Sequence, residues 1–218
     1  MLGTEERLNL ALDRQQMLTG EMSHRIKNLF AITRGMIGVS VRDASTPAEV
    51  FNNFTGRLDA LAVAHDLVRP SFDHEGVSVQ CADLGDLVRT IARPHEIGAK
   101  HPEQSRFIIE GPPIPLGNHA TNGLALLLYE LATNAAKYGS LIDEGSVEVS
   151  WWNTDGRMFL NWLERGGPVI EAPPKRTGFG TKLVQNTVIG QLRGELSFDW
   201  RLEGLAVTMS VPIENLAN

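Results

Sequence analysis

The stretch "HATNGLALLLYELATNAAKY", residues 119–138, constrains the fold more than any other part of the chain. Its pattern predicts a strong helix, with Asn118 as its N-cap and Gly139 as a left-handed residue that ends it. At helical spacing, an apolar side consists of Leu124, Leu128, Leu131 and Ala135. A polar side consists of Glu130, Asn134 and Lys137. Such a helix must bury its apolar side, so it predicts a layered domain.

Strand signals surround this helix from about Ser71 onward. "RFIIEG" and "PIPLG" read as short strands, "DLGDLVRTIA" as a short helix, and "DHEG" and "HPEQ" as loops. Further on, "SVEVSWW" and "RMFLNWLE" flank the turn "NTDG", and "ELSFDW" and "LAVTMSVPI" flank "RLEG". The fold class is therefore α+β, with antiparallel strands layered under helices.

The first 70 residues have a different pattern, in which two helices each carry an apolar stripe. The first stripe consists of Leu8, Leu12, Met22, Ile26, Leu29 and Met36. The second follows "DASTP" and consists of Phe51, Phe54, Leu58, Leu61, His65 and Val68. Neither helix can bury its stripe alone, so we expect a hairpin that pairs with a second copy in a four-helix bundle, with a closed monomer as the alternative. The predicted domains are 1–70 and 71–218.

Composition excludes several classes of protein. The net charge of −6 and the pI near 5.5 argue against nucleic-acid binding, which needs a basic face. No apolar run of about 18 residues is present, so we expect no membrane span and no membrane contact by this segment. A single cysteine, Cys81, excludes an intrachain disulfide and is typical of a reducing compartment, so we expect the cytoplasm.

His24, in "EMSHRIKNLF", falls on the side of its helix opposite the apolar stripe. A neutral imidazole is a competent nucleophile when a carboxylate such as Glu21 accepts the proton on its other nitrogen. Lys27 can balance the charge of an incoming phosphoryl group, and Asn28 can orient that group or a water molecule. The alternative is a solvated surface histidine, which is the commoner case.

Two further segments join the polar side of the 118–138 helix as a candidate nucleotide site. Glu130 and Asn134, one turn apart, can hold a hydrated Mg²⁺, and Lys137 adds a point charge. Glu164 ends a strand and can accept a hydrogen bond from an exocyclic amine such as that of adenine. Gly166 and Gly167 follow it, where backbone can approach a ligand closely.

"RTGFGTKL" supplies the last part of this candidate site. Gly178 and Gly180 are expected to precede a helix that opens at Thr181, so that backbone N–H groups can cradle phosphates. Lys182 adds positive charge there. Two glycines alone are ordinarily only a turn, and the spacing is wrong for a Walker motif. The order of the segments is what favours a nucleotide.

Four motifs together resemble the catalytic core of a bacterial sensor histidine kinase of the HWE family, over nearly the whole chain from about Glu5. They are "HRIKN", "ELATNAAKYG", "WLERGGP" and "GFGTKL". The resemblance implies a helical dimerisation and phosphotransfer hairpin, followed by the ATP-binding α/β sandwich shared with Hsp90-type chaperones and type II topoisomerases. It implies His24 as phosphoacceptor, Asn134 as Mg²⁺ ligand with Glu130 beside it, and Glu164 as the acid that recognises the base. The implied lining of the ATP site is Lys137, Tyr138, Gly166, Gly167, Gly178, Gly180, Thr181 and Lys182.

The chain departs from the family pattern at Tyr129, which stands where the family has a histidine before the glutamate of the asparagine box. A phenol does not titrate near neutral pH, so we expect ATP binding to survive and autophosphorylation to be slower. Arg25 follows the phosphoacceptor, where many histidine kinases have an acid, which makes Glu130 the candidate base.

The leading hypothesis is an ATP-dependent protein-histidine kinase with ATP and Mg²⁺ as cofactors. His24 would pass its phosphoryl group to an aspartate of a response-regulator receiver domain. One alternative is a non-catalytic phosphotransfer or scaffold module, and another is net phosphatase action on the regulator through Asn28. A chaperone-like ATPase on the same fold would have no use for His24. We expect a sensor domain upstream of this segment, with a protein that stands alone as the alternative.

Overall fold

The computed structural model describes residues 30, 33–38, 40–41, 46–68, 70–73, 76–79, 81–96, 105–173 and 179–217. The chain divides into two compact units, Met1–Phe54 and Thr55–Asn218. Residues 33–38 are helical, in the part of the chain where the first stripe was predicted. The predicted boundary between residues 70 and 71 remains a prediction, as do the bundle and the dimer.

Helix α1, Pro47–Leu67, is the second helix predicted from the sequence. Pro47 is its first residue, and the Thr46 hydroxyl accepts a hydrogen bond of 3.2 Å from the Glu49 N–H. Its buried residues are Arg57, Ala60, Leu61 and Ala64. The predicted stripe is only partly correct, because Phe51 and His65 are exposed in the single chain. The buried side is rotated toward small residues, which let another helix approach closely.

Short elements connect α1 to the main helix. A hairpin of β1, Pro70–Asp73, and β2, Gly76–Val79, surrounds the predicted "DHEG" loop and was missed by the sequence reading. Helix α2, Leu84–Glu96, contains the predicted short helix. Strand β3, Ala82–Asp83, pairs with β5, Pro115–Leu116. Strand β4, Phe107–Glu110, lies in the predicted "RFIIEG" segment.

Helix α3, Asn118–Tyr138, is the predicted helix and begins one residue earlier than predicted. The N-cap is Gly117 and not Asn118, and the cap makes no side-chain hydrogen bond. Gly139 does end the helix, and its N–H donates to the carbonyl groups of Asn134 and Ala135. Its φ of −114° is not left-handed, so the reason for a glycine here lies in its surroundings rather than in its own dihedral angles.

A five-stranded sheet carries the domain, in the order β4-β6-β7-β9-β8. The predicted hairpins are confirmed, as β6, Ser146–Thr154, with β7, Arg157–Arg165, and β8, Glu195–Arg201, with β9, Gly204–Pro212. Strand β4 is parallel to β6, so the sheet is mixed. Helix α4, Phe179–Gln185, continues into a π-helical turn, Asn186–Gln191, before β8. A 3₁₀ turn, Ile213–Asn215, follows β9.

The core lies between the helices and one face of this sheet. Alternate residues of β7 point inward, so that Met158, Leu160, Trp162 and Glu164 are all buried. The apolar side of α3 is buried as predicted, with Leu124 and Ala135 fully inaccessible to solvent. Within the described part of the chain, no helix combines the length and apolar character that crossing a membrane requires.

We predict that Gly156→Ala destabilises the fold through backbone strain alone. Asp155 and Gly156 form the β6–β7 turn with φ values of 51° and 73°, and a Cβ on Gly156 would meet nothing within 4 Å. A left-handed alanine costs about 1–2 kcal/mol, and each kcal/mol lowers Tm by about 2–4 °C in a chain of this size. Thermal melting measures the change.

Gly190→Ala is the matched control, because a Cβ there also meets open space but φ lies outside the left-handed region. Gly190 is in a helical turn, so alanine should be neutral or stabilising by about 0.5–1 kcal/mol. Equal melting temperatures for the two variants would contradict the assignment of strain to Gly156.

Candidate active site

The polar side of α3 changes from buried to exposed along the helix. Glu130 is buried at 6% exposure, Asn134 is half-buried, and Lys137 and Tyr138 are exposed. The spacing of four and three residues places Glu130, Asn134 and Lys137 on one side, as predicted. The exposed end of this side carries the groups suited to contact a ligand, whereas the buried end requires a partner within the protein.

Arg57 of α1 is that partner. Its Nε donates to Glu130 Oε1 at 2.5 Å and its Nη2 donates to Glu130 Oε2 at 3.2 Å, with both side chains almost fully buried. Removing one partner of such a buried pair ordinarily costs about 3–5 kcal/mol, because the other charge is left uncompensated. Both oxygens of Glu130 are therefore engaged by a cation, and its roles as metal neighbour and base stay predictions.

Tyr129, the residue before Glu130 on α3, lies over α1. A Cβ built on Gly56 would stand only 1.8 Å from the Tyr129 hydroxyl oxygen. Burial is the main cause that raises the pKa of the Tyr129 phenol above its usual value, so this group stays neutral at neutral pH. Gly56 thus permits the close approach of α1 that brings Arg57 to Glu130.

Glu164, the glutamate of the "WLE" segment, is buried at 3% exposure. Trp162 Nε1 donates to its Oε1 at 3.2 Å, and the Ser140 N–H donates to its Oε2 at 3.1 Å. Burial raises the pKa of this carboxyl, and the two hydrogen bonds act in the opposite direction. The tryptophan and the glutamate of this motif are thus linked directly, and recognition of a base by Glu164 stays a prediction.

The loop after α3 closes against the end of β7. A Cβ on Gly139 would lie 2.0 Å from Glu164 Oε2, and one on Gly167 would lie 2.6 Å from Ser140 Cα. Both positions therefore need glycine because of close contacts. Arg106 fixes the loop through its backbone, with Nε donating to Gly145 O at 3.0 Å. Its Nη2 donates to Ser140 O at 3.2 Å and to the Asp143 carbonyl as well.

A buried hydroxyl group in this loop, Ser140 Oγ, has no hydrogen-bond partner within the described part of the chain. Ser140 binds Glu164 through its backbone N–H, so its hydroxyl group lies close to that carboxyl group. Buried polar atoms are ordinarily satisfied, so this unsatisfied atom fits a site that takes a polar ligand. The Asn134 amide suits the oxygens of a hydrated Mg²⁺, and the Ser140 hydroxyl group suits the edge of a base.

The segment around "GFG" differs from expectation. Helix α4 begins at Phe179, so Gly180 lies inside its first turn and does not precede it. Thr181 is half-buried and Lys182 is exposed on the same helix. Gly178 lies outside the described residues. No group of three histidine, cysteine, aspartate or glutamate side chains suited to a metal occurs within the ranges that the structure describes.

The structure therefore joins part of the predicted site. Ser140 links the C-terminal end of α3 to Glu164, and Gly167 packs on Ser140. His24 and Asn28 lie outside the described residues. Arg57 was missed by the sequence reading, although its spacing to Ala60, Leu61 and Ala64 puts a cation on the side that α1 buries. A buried arginine on an otherwise small apolar face signals a buried acid elsewhere.

A family model described as "HWE histidine kinase" matches residues 21–113. The chain is 34% identical over 203 residues to "Blue-light-activated histidine kinase 1" of Erythrobacter litoralis, covering 91% of this chain and 54% of that protein. It is 32% identical to "Blue-light-activated histidine kinase" of Brucella anthropi, covering 90% of this chain and 39% of that protein. The chain thus spans about half or less of the length of these relatives, and the matches support a histidine kinase of the HWE family.

Solved structures agree on the fold. The blue-light activated histidine kinase EL346 of Erythrobacter litoralis superposes with a TM-score of 0.62 at 19% identity, covering 92% of this chain and 64% of that chain. A histidine kinase domain of the same protein gives a TM-score of 0.55 at 15% identity, covering 86% of this chain and 98% of that chain. At these identities the likeness shows the fold, a mixed helix and sheet arrangement of the histidine kinase type.

We predict that Glu164→Gln changes the pH dependence of stability. Because burial raises the pKa of Glu164, the folded state holds this proton more tightly than the unfolded state. The associated stability is complete below the ordinary value of 4.5 and is lost as the pH rises through the raised value. Glutamine has no proton to lose, so Tm of the variant relative to the unsubstituted protein should increase with pH across this window.

The control is Glu110→Gln, because Glu110 is exposed on β4. The difference in Tm between this variant and the unsubstituted protein should not change with pH. Thermal melts from pH 4 to 8 measure both variants. A constant difference in Tm between Glu164→Gln and the unsubstituted protein would show that Glu164 has no raised pKa in the folded state.

Proposed function

We propose that this chain is the core of an ATP-dependent protein-histidine kinase in a two-component signalling system. The observation that carries the proposal is the contact of Ser140 with both Glu164 and Gly167 at the end of α3. It brings the asparagine-bearing helix, the acid and the double glycine into one place, in the order typical of the family. The match of residues 21–113 to the HWE histidine kinases supports the same function.

The burial and exposure of the side chains support the proposed nucleotide-binding roles. Half-buried Asn134 would bind Mg²⁺, with Glu130 beside it, and the ion would supply charge neutralisation for the phosphates. Lys137, Tyr138 and Lys182 are exposed and would contact the nucleotide. The remaining lining is Gly166, Gly167, Gly178, Gly180 and Thr181. Glu164 would recognise the base, with Trp162 and the Ser140 N–H holding the carboxylate in a fixed orientation.

His24 would be the nucleophile. One ring nitrogen forms a bond to the γ-phosphorus of ATP while the bond to the β,γ-bridging oxygen breaks, and ADP leaves. The proton on the other ring nitrogen passes to a carboxylate, for which Glu21 and Glu130 are the candidates. Asn28 would orient the phosphoryl group or a water molecule. The phosphohistidine would then transfer its phosphoryl group to an aspartate of a response-regulator receiver domain.

The proposed setting is a homodimer in the cytoplasm, with residues 1–70 as the dimerisation and phosphotransfer domain and residues 71–218 as the catalytic domain. The second candidate is a scaffold or a net phosphatase that acts on a receiver domain. The match to the HWE histidine kinase family does not favour this alternative.

Incubation with labelled ATP and Mg²⁺ tests the acceptor. The protein should acquire label that is labile in acid and stable in base, and His24→Ala should abolish it. The matched control is His119→Ala, because His119 is an exposed histidine on α3 with no assigned role. Equal labelling of His24→Ala and His119→Ala would exclude His24 as the phosphoacceptor.

A binding measurement tests the donor site separately. Calorimetry with ADP and Mg²⁺ should detect Mg²⁺-dependent binding, and Asn134→Ala should weaken it about tenfold or more, since even indirect partners of a metal contribute that much. Asn153→Ala is the control, because Asn153 is exposed near the β6–β7 turn. Absence of Mg²⁺-dependent heat in the unsubstituted protein would favour the scaffold.

A further inference from the structure

Arg57 and Glu130 form the most deeply buried ion pair that the described residues contain, at 5% and 8% side-chain exposure. The planar fork of the arginine meets both carboxylate oxygens, which is the geometry that gives such a pair its strength and direction. Buried pairs of this kind are weak evidence for stability, since an apolar pair of similar volume is often equally stable. A different reason is therefore needed for a charged pair at this place.

The position of Glu130 supplies that reason. It lies one turn before Asn134 on α3, on the side that the proposed function assigns to Mg²⁺-nucleotide. A carboxylate whose two oxygens both accept from a guanidinium has its best lone pairs occupied, and it cannot serve fully as a metal neighbour or a proton acceptor at the same time. Contact of Glu130 with Arg57 and contact of Glu130 with a metal or a proton donor would therefore exclude one another.

Arg57 and Glu130 belong to different helices, since α1 carries Arg57 and α3 carries Glu130. A rotation or shift of α1 would therefore be enough to withdraw Arg57 from Glu130. The contact of Gly56 with Tyr129 lies beside the ion pair, so the two helices are close together where the pair forms.

We propose that Arg57 is a positioning residue that controls Glu130, and that Arg57 and Mg²⁺-nucleotide compete for this carboxylate. The inference rests on the proposed kinase function and adds a regulated step to it. In the closed state, Arg57 holds Glu130. In the open state, Glu130 turns toward the nucleotide, and the position of α1 sets the balance between the two.

Competition between Arg57 and Mg²⁺-nucleotide would change the apparent affinity for nucleotide by an amount that can be measured. The apparent dissociation constant equals the intrinsic value divided by the fraction of molecules in the competent state. If about one molecule in ten is open, removal of Arg57 tightens Mg²⁺-dependent nucleotide binding by up to about tenfold. A purely structural role of Arg57 predicts the opposite sign, since loss of packing weakens binding or leaves it unchanged.

The experiment uses the full chain with three variants, R57M, E130Q and R57M/E130Q. Methionine retains an apolar stem while removing the cation. Affinity for ADP is measured by calorimetry over a series of Mg²⁺ concentrations, and Tm is measured without nucleotide. R57M should lower Tm and tighten Mg²⁺-dependent ADP binding severalfold. E130Q should weaken that binding, and the double variant should recover much of the lost Tm while binding as E130Q does.

Arg157→Met is the matched control. Arg157 lies on β7 and forms an ion pair with Glu195 at 3.6 Å, which is more exposed than the pair of Arg57 with Glu130. This variant should leave the Mg²⁺ dependence of ADP binding unchanged. If R57M melts below the assay temperature, R57K replaces it, since lysine keeps the charge but lacks the fork that spans both oxygens. R57K should tighten Mg²⁺-dependent binding by a smaller factor.

The outcomes separate the two proposals. Absence of Mg²⁺-dependent ADP binding in the unsubstituted protein overturns the kinase function, and the competition falls with it. Binding by the unsubstituted protein with equal or weaker binding by R57M or R57K overturns the competition and leaves the kinase function standing. Tighter binding by R57M that persists in R57M/E130Q also overturns it, because the effect would then not pass through Glu130.

Discussion

Burial of two carboxylates is the constraint on which the rest of the site depends. A buried charge needs a partner, and the chain supplies a different kind to each. Glu130 receives the guanidinium of Arg57, whereas Glu164 receives two neutral N–H donors, from Trp162 and Ser140. The first solution requires α1 to come close to α3. The second requires the loop after α3 to close on β7. The tightest glycine contacts of the site follow from these two approaches.

The elements that the sequence predicted correctly are those with local causes. Helix α3 follows from apolar residues at helical spacing, and the β6–β7 hairpin follows from alternation on either side of an Asp-Gly turn, whose positive φ values the structure bears out. The polar side of α3 follows from the same spacing. Each of these patterns involves only residues that are close in sequence, so the element can be predicted without knowing the rest of the fold.

The errors concern contacts between distant parts of the chain. Arg57 and Glu130 are 73 residues apart, and neither residue alone indicates the other. Gly139 was explained by a left-handed cap, but the structure explains it by the approach of Glu164, which lies 24 residues beyond Ser140 on a different element. The stripe on α1 was drawn through its largest apolar residues, whereas packing selected Ala60 and Ala64 because they permit close contact.

Arg106 binds only carbonyl oxygens of the segment between α3 and β6, at Ser140, Asp143 and Gly145. Because these hydrogen bonds go to backbone carbonyl oxygens, they do not depend on which side chains the segment carries. Ile142 and Asp143 are exposed, and the hydrogen bonds from Arg106 do not involve their side chains. Substitutions at these two exposed positions should therefore leave the backbone conformation of the loop unchanged. A fluorescent label attached there could report on nucleotide binding without disturbing the residues of the proposed site.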